Sequence, residues 1–136
     1  MTQKIFINLA VQDLPRSVQF FTQLGFSFNP QFTDENATCM IVSDSIYVML
    51  LTQARFSDFA PKAICNSHEA NEVLICLSCE SREAVDSQVA RAVSAGGSTY
   101  RQPEDHGFMY GHSFIDPDGH VWELVYMDMD MSQMPG

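Results

Sequence analysis

The chain has 136 residues, of which 46% are hydrophobic and 18% are charged, and this suits one globular domain with its own core. Seventeen acidic residues against seven basic ones give a formal net charge of −10, which argues against a nucleic-acid surface or docking to anionic lipid. No apolar run reaches the roughly 20 residues that cross a bilayer. Three of the four cysteines fall in or near predicted strands, which suits buried free thiols, so we expect a cytoplasmic protein.

The first half of the chain predicts a strand, a helix and three further strands. The apolar, β-branched run at 5–11 is typical of a strand. A helix then begins after the cap Asp13, with Pro15 in its first turn, and ends at Gly25. The remaining strands are predicted at 27–32, 38–43 and 46–52.

The second half repeats this order, so both halves read β-α-β-β-β. Ser81 caps the second helix, and Gly96 ends it. Its strands are predicted at 73–79, 98–101, 108–115 and 120–127. We therefore expect a single domain over 1–136, with module 1 at about 4–52, a linker with one short helix at 53–72, module 2 at about 73–128 and a frayed tail at 129–136.

The most informative stretch is 116–124, a tight Asp-Pro-Asp-Gly turn that leads into a strand containing Glu123. Glu123 shares a face with Val121 and Val125, and Trp122 and Leu124 lie on the other face. A carboxylate in such a strand costs several kcal/mol unless it is paired, bound to a metal or protonated. The group that neutralises Glu123 is therefore the central question.

The order of these motifs resembles the vicinal oxygen chelate superfamily, which includes glyoxalase I, bleomycin-resistance proteins, fosfomycin-resistance proteins and extradiol dioxygenases. The matching residues are Val11-Gln12-Asp13-Leu14, Ser17, Phe20-Phe21, Leu24-Gly25-Phe26 and Asp116-Pro117-Asp118-Gly119 ahead of Glu123-Leu124. The resemblance implies an α+β fold in which two β-α-β-β-β modules form a cupped mixed sheet with the site inside. It also implies a homodimer.

Enzymes of that superfamily hold a divalent metal with side chains from the first and last strand of each module. Carried over by resemblance, these positions fall on Phe6, on Leu50 (or Met49 with a slip of one residue), on Leu74 and on Glu123. Three of the four cannot serve a hard divalent ion, and a catalytic zinc needs three protein ligands. We therefore expect no metal centre and no cofactor.

The remaining cup is predicted to be apolar with a few polar points, as small-molecule pockets are. Its predicted ligand-binding residues are Phe6, Asn8, Leu50, Leu74, Cys76, His106, Tyr110 and Glu123. Glu123 is either a structural residue, bonded to backbone or to Asn8, or a functional carboxyl of raised pKa that acts as an acid, a base or the partner of a cation, and it is the one candidate catalytic residue. No basic residue is placed near Cys76 by the sequence, so a buried thiol is favoured over a nucleophile.

Three hypotheses about function follow. The first is a metal-independent protein that binds a small, mostly apolar molecule in the cup. The second is a glyoxalase-like lyase or isomerase that uses Glu123 with His106 or Tyr110 and a recruited metal, with His106 in a loop at 103–107 that could act as a lid. The third is a dimeric interaction module with an occluded cup.

Overall fold

A computed structural model of the chain describes residues 3–128, and these residues form two compact units that divide after Asn66. Each unit is one β-α-β-β-β module with its own four-stranded mixed sheet, which confirms the predicted α+β fold class. None of the helices within 3–128 is long and apolar enough to cross a membrane. The tail that was predicted to fray, 129–136, lies outside the described residues.

Module 1 places one helix against a sheet in which the first and last strands run parallel. Its elements are β1 (Ile5–Val11), α1 (Leu14–Gln23), β2 (Ser27–Asn29), β3 (Ala37–Ile41) and β4 (Ile46–Thr52), followed by the short helix α2 (Gln53–Phe59). The strand order is β1-β4-β3-β2, so β1 and β2 are the edges.

The helix α1 begins as predicted, because Asp13 Oδ1 accepts the Arg16 N–H at 3.1 Å and satisfies one of the free amides of the first turn. Phe20 and Phe21 lie on its buried face and help to form the core of module 1. The strand predicted at 27–32 is wrong in its second half. Pro30 has no N–H to give to a sheet, and it begins a single 3-10 turn at Pro30–Phe32.

Module 2 repeats the arrangement with a longer helix. Its elements are β5 (Leu74–Ser78), α3 (Arg82–Ser94), β6 (Glu104–Asp105), β7 (Met109–Ile115) and β8 (Val121–Met127). The strand order is β5-β8-β7-β6, with β5 parallel to β8. The strand predicted at 98–101 is wrong: Ser98 makes a single bridge to Ile115, and regular pairing resumes only at β6.

The core of module 2 lies between α3 and one face of its sheet. Trp122 and Phe114 are buried and stack with ring centroids 6.1 Å apart. Val85 and Val89 are buried on α3. Glu123 follows Trp122 in β8, so its side chain lies on the opposite face of the sheet, as the alternation predicted.

The turn before β8 is organised by the buried carboxylate of Asp116. Its Oδ1 accepts the N–H groups of Asp118 at 2.9 Å and His120 at 3.0 Å, and its Oδ2 accepts Trp122 Nε1–H at 3.0 Å. Burial raises the pKa of Asp116, while the charge of His120 and these hydrogen bonds oppose the rise. Asp116 therefore joins the turn to the core residue Trp122 and fixes where β8 starts.

Candidate functional site

The candidate site is the face of the module 2 sheet that carries Glu123. Cys76 lies opposite Glu123 in the parallel pairing of β5 with β8, and Ser113 lies opposite it in the antiparallel pairing of β7 with β8. Side chains of directly paired residues share a face. Glu123 is therefore flanked in its row by a thiol and a hydroxyl.

Arg101 neutralises Glu123. Arg101 Nη2 donates to Glu123 Oε2 at 2.8 Å, and Arg101 Nη1 donates to Glu104 Oε1 at 2.9 Å. The Glu123 side chain is 28% exposed, so this ion pair is partly shielded from water. The Asn8 amide donates to Phe6 O at 3.3 Å, and a bond between Asn8 and Glu123 stays a prediction.

Side-chain hydrogen bonds hold Arg101 beside β7 where the predicted strand is missing. Thr99 Oγ1 donates to Ser113 O at 2.8 Å, and His112 Nε2 lies 2.8 Å from Arg101 O. A carbonyl oxygen only accepts, so the His112 Nε2 carries the proton in this contact. These side-chain hydrogen bonds of Thr99 and His112 replace the backbone hydrogen bonds of a regular strand. They hold Arg101 where its guanidinium reaches Glu123.

His106 stands at the far end of the same charge network. Its Nε2 lies 3.2 Å from Glu104 Oε2, so Glu104 links His106 to Arg101. The loop is also tied to α3, because Arg82 pairs with Asp105 at 2.8 Å and donates to Gly107 O at 2.9 Å. A lid movement of this loop would require both Arg82 contacts to break.

Tyr110 lies on the other face of the sheet, so its predicted place beside Glu123 is wrong. Val125 shares the face of Glu123, so its neighbour Tyr126 lies on the opposite face. Tyr110 pairs with Tyr126 and therefore lies on that opposite face too. Its hydroxyl donates to Asp86 Oδ1 on α3 at 2.6 Å. That hydrogen bond, followed by burial and the charge of Asp86, raises the pKa of Tyr110 to about 12.

In module 1, Phe6 and Asn8 share one face with the residues that pair with them on β4. Phe6 is 53% exposed and stacks on Tyr47 with ring centroids 4.9 Å apart. Asn8 pairs with Met49, so the alternative alignment to Met49 fits this face. The predicted ligand contact Leu50 is corrected, because Leu50 is fully buried on the core face.

A cleft of about 490 Å³ opens on the Glu123 face of module 2. Leu74, Val121 and Ile115 form its apolar row, which lies two residues along β8 from Glu123. Leu74 is 53% exposed, whereas Val121 is buried, so Leu74 supplies the accessible apolar surface of this row. The cleft is lined by Ser67, His68, Asn71, Leu74, Ser98, Tyr100, Ile115, Gly119 and Val121.

Cys76 is an exposed thiol on this face, so the prediction that it is buried is wrong, although Cys39 is buried. Partial enclosure by neighbouring atoms, followed by the charge of Glu123, raises the pKa of Cys76. A raised pKa keeps the thiol protonated and makes it a weak nucleophile. Cys76 is therefore suited to line a binding site.

The residues that the resemblance assigns to the superfamily's metal positions do not offer the ligands of a metal ion. Phe6 and Leu74 offer no donor atom, Met49 offers only a thioether, and Glu123 is already paired with Arg101. Within the part of the chain that the structure describes, no group of three or more His, Cys, Asp or Glu side chains is arranged to hold a metal ion.

Arg101, Glu104 and Ser113 are the site residues that the sequence did not reveal. In the strand predicted at 98–101, alternation assigns the Arg101 side chain only to one of the two faces and names no partner for it. The sequence signal that could have found Arg101 was Glu104, an acidic residue three positions later that forms an ion pair with it. Ser113 follows from the β7–β8 register, which the sequence leaves open by one residue.

Solved structures resemble the chain over nearly its whole length. The hypothetical protein SA1046 from S. aureus is 31% identical with a TM-score of 0.78, over 93% of this chain and 94% of that one. A glyoxalase/bleomycin resistance protein/dioxygenase family enzyme from Burkholderia phytofirmans PsJN is 16% identical with a TM-score of 0.76, over 93% and 99%. The fosfomycin resistance protein FosX from Listeria monocytogenes is 17% identical with a TM-score of 0.67, over 96% and 94%.

A comparison with functionally curated proteins gives no match. A family model does match, over residues 5–124, which is most of the chain and includes both modules. The chain therefore belongs to the Glyoxalase/Bleomycin resistance protein/Dioxygenase superfamily.

Proposed function

We propose that this protein binds a small, mostly apolar molecule on the Glu123 face of module 2, without the metal centre of its superfamily. The observation that carries the proposal is a cleft of about 490 Å³ whose lining includes the paired apolar residues Leu74, Val121 and Ile115, with Leu74 exposed in it. Small-molecule sites typically combine such apolar walls with a few fixed polar groups. Here the polar side chains of Ser67, Asn71 and Ser98 line the cleft.

The chemistry of the site supports binding more than lyase or isomerase catalysis. A general base works best when its carboxylate is free to take a proton near neutral pH. Glu123 is bonded to Arg101 instead, and the proposed partner Tyr110 lies on the other face of the sheet. Glu123 and Cys76 remain proposed ligand contacts, as do Phe6 and Asn8 in module 1.

The proposal is tested with 2-phenylethanol, a small aromatic molecule with one neutral polar group, in an NMR titration of the labelled protein. We expect saturable shifts of the amides of Leu74, Tyr100 and Val121. The variant Leu74→Trp should abolish them by filling the cleft. Val73→Trp is the matched control, since Val73 is an exposed neighbour that does not line the cleft.

Two results would contradict the proposal. One is shifts that are scattered over both modules and do not saturate, since these report weak nonspecific contact. The other is equal binding by Leu74→Trp and by the unchanged protein. An unresponsive protein would favour the hypothesis of an occluded module.

We also propose that the protein is a cytoplasmic homodimer. The exposed side chains of Ile5 and Phe6 on the edge strand β1 support this proposal, because an apolar edge strand favours association with another chain. Light scattering on the purified protein should give twice the chain mass of 15.3 kDa. A mass of 15.3 kDa that persists at high protein concentration would contradict it.

A further inference from the structure

A second pocket lies in module 1, away from the candidate site, and nothing described so far uses it. It has a volume of about 350 Å³, and every residue that lines it belongs to α1 or to the stretch from Thr33 to Thr38. This volume falls in the range of small-molecule sites, about 300–1,000 Å³. We call it the module 1 pocket.

One wall of the module 1 pocket is apolar and comes from the first turns of α1. It is formed by Leu14, Pro15 and Val18, which lie on one side of the helix because residues three and four apart are neighbours on its surface. Leu14 is buried in the core, whereas Pro15 is exposed and Val18 is half-buried. Pro15 and Val18 therefore supply apolar surface that a bound molecule can cover.

The two hydroxyl groups in the lining have no proton to give to a ligand. Thr33 Oγ1 donates its one proton to Asn29 O at 2.8 Å, so it accepts in its 2.9 Å contact with Thr38 Oγ1. The proton of Thr38 is therefore also used within the fold. The hydroxyls of this lining thus offer acceptor positions only.

Two carboxylates stand at the open side of the module 1 pocket. Asp34 Oδ1 accepts the N–H groups of Asn36 at 2.8 Å and Ala37 at 3.0 Å, which fixes the turn. The exposed side chain of Glu35 makes no hydrogen bond or ion pair with the residues that the structure describes. No lysine, arginine or histidine of the described chain lines the pocket, so its carboxylates have no compensating charge there.

The one opposing charge in the surroundings is small. The N-terminus of α1 carries a partial positive charge of about one half, which favours an anion. Asp13 caps this end by accepting the Arg16 N–H at 3.1 Å. Two full negative charges on Asp34 and Glu35 outweigh the remainder, so the electrostatic preference of the module 1 pocket is for a cation.

We infer that the module 1 pocket binds a small aliphatic ammonium compound, with its charged group at Glu35 and Asp34 and its hydrocarbon body against Pro15 and Val18. An ammonium carries three donors and no acceptor, which matches a lining of carboxylates and proton-spent hydroxyls. The site goes beyond the proposed function, because it lies in the other module and takes a ligand of another class.

The test compares three molecules with the same ring: cyclohexylmethylamine, cyclohexylmethanol and cyclohexanecarboxylate. Each is titrated into the labelled protein at pH 7, and the NMR shifts of the Val18, Gln19 and Glu35 amides give the dissociation constant at this site alone. We expect the amine to bind about threefold or more tighter than the alcohol, and the carboxylate to bind most weakly. About 1 M salt should reduce this preference, because it screens exposed charges.

Two pairs of variants separate the charge from the apolar wall. Glu35→Gln should reduce the preference for the amine, whereas Asp44→Asn removes an exposed charge of the same module outside the pocket and should retain it. Gln19→Trp should weaken all three molecules by filling the pocket. Gln23→Trp is its control, since Gln23 is an exposed residue of α1 that does not line the pocket.

The inference is overturned if the amine and the alcohol bind equally, if the carboxylate binds most tightly, or if Glu35→Gln leaves the preference unchanged. It is also overturned if no molecule gives saturable shifts at the module 1 amides. None of these results affects the proposed function, which depends on the shifts that 2-phenylethanol causes at Leu74, Tyr100 and Val121. The two proposals therefore fail separately.

Discussion

Arg101 Nη2 lies 2.8 Å from Glu123 Oε2, although the two residues are 22 positions apart and Arg101 belongs to no strand. The ion pair explains how a strand with a buried face can carry a carboxylate. It also removes the need for a metal ion at Glu123, since the guanidinium already compensates the charge. The charge of Glu123, which lies between Cys76 and Ser113 in the sheet, is therefore compensated within the fold itself.

The first prediction concerns the coupling between Glu123 and Cys76. The charge of Glu123 contributes to the raised pKa of Cys76, so Glu123→Gln should lower that pKa and increase the thiolate present at a fixed pH. The rate of Cys76 alkylation at pH 8 should therefore rise, because the thiolate is the form that reacts. Mass spectrometry that resolves each cysteine measures this rate.

Glu104→Gln is the control, because Glu104 belongs to the same network but does not contribute to the shift at Cys76. Its alkylation rate should match that of the unchanged protein. An unaltered rate in Glu123→Gln would show that the two side chains do not interact.

The second prediction concerns Gly119 in the turn before β8. Gly119 has φ of 88°, and a Cβ there would lie 2.8 Å from backbone atoms of Ser67 and His68. Gly119→Ala should therefore destabilise the fold by about 2 kcal/mol or more, through strain at positive φ and a backbone clash. Gly25→Ala is the matched control, because Gly25 has φ of 98° but open space around it, and it should cost about 1 kcal/mol.

Urea unfolding of both variants checks this prediction. Equal losses would mean that the turn moves away from Ser67 without cost. The cleft would then have a softer wall than the structure indicates.

The third prediction concerns the hydrogen bond between Tyr110 and Asp86. Because the pKa of Tyr110 is raised from its ordinary value of 10 to about 12, this bond stabilises the fold fully below pH 10, and the stabilisation is lost as the pH rises through about 12. Tyr110→Phe should reduce stability at pH 7 by about 1 kcal/mol or less, since the contact is near the surface.

Ultraviolet titration gives an independent measurement. The unchanged protein should show a tyrosine step near pH 12 that Tyr110→Phe lacks. Asp86→Asn should move this step to lower pH, and a step that stays in place would contradict the assignment to the Asp86 contact.

The fourth prediction concerns Asp116. Asp116→Asn retains one acceptor for the Asp118 and His120 amides but turns an NH₂ group toward Trp122 Nε1–H. Loss of the bond from the buried indole N–H to Asp116 should cost about 1–3 kcal/mol in urea unfolding. Asp13→Asn is the control, because asparagine caps a helix as well as aspartate does, and it should be nearly neutral. Equal stability of both variants would contradict the account of the turn.

The sequence was sufficient for the features that depend on local patterns. The two modules follow from repeated apolar strands and helix caps such as Asp13 and Ser81, and the face of Glu123 follows from alternation around Trp122. The choice between Leu50 and Met49 could not be made, because a shift of one residue moves a side chain to the other face.

The features that the sequence did not reveal depend on contacts between distant residues. Tyr110 was placed beside Glu123 because the register of β7 against β8 was unknown, and this register alone sets its face. Arg101 was missed because Thr99 and His112 replace the expected strand with side-chain hydrogen bonds. No periodic pattern encodes such bonds.

The most direct test is a crystal structure of the protein grown with both zinc and 2-phenylethanol. The account predicts density for the alcohol in the module 2 cleft, with its ring against Leu74, and no zinc at Glu123. A zinc ion held by Glu123 together with further side chains would contradict the account, and so would an alcohol bound elsewhere with the cleft left empty.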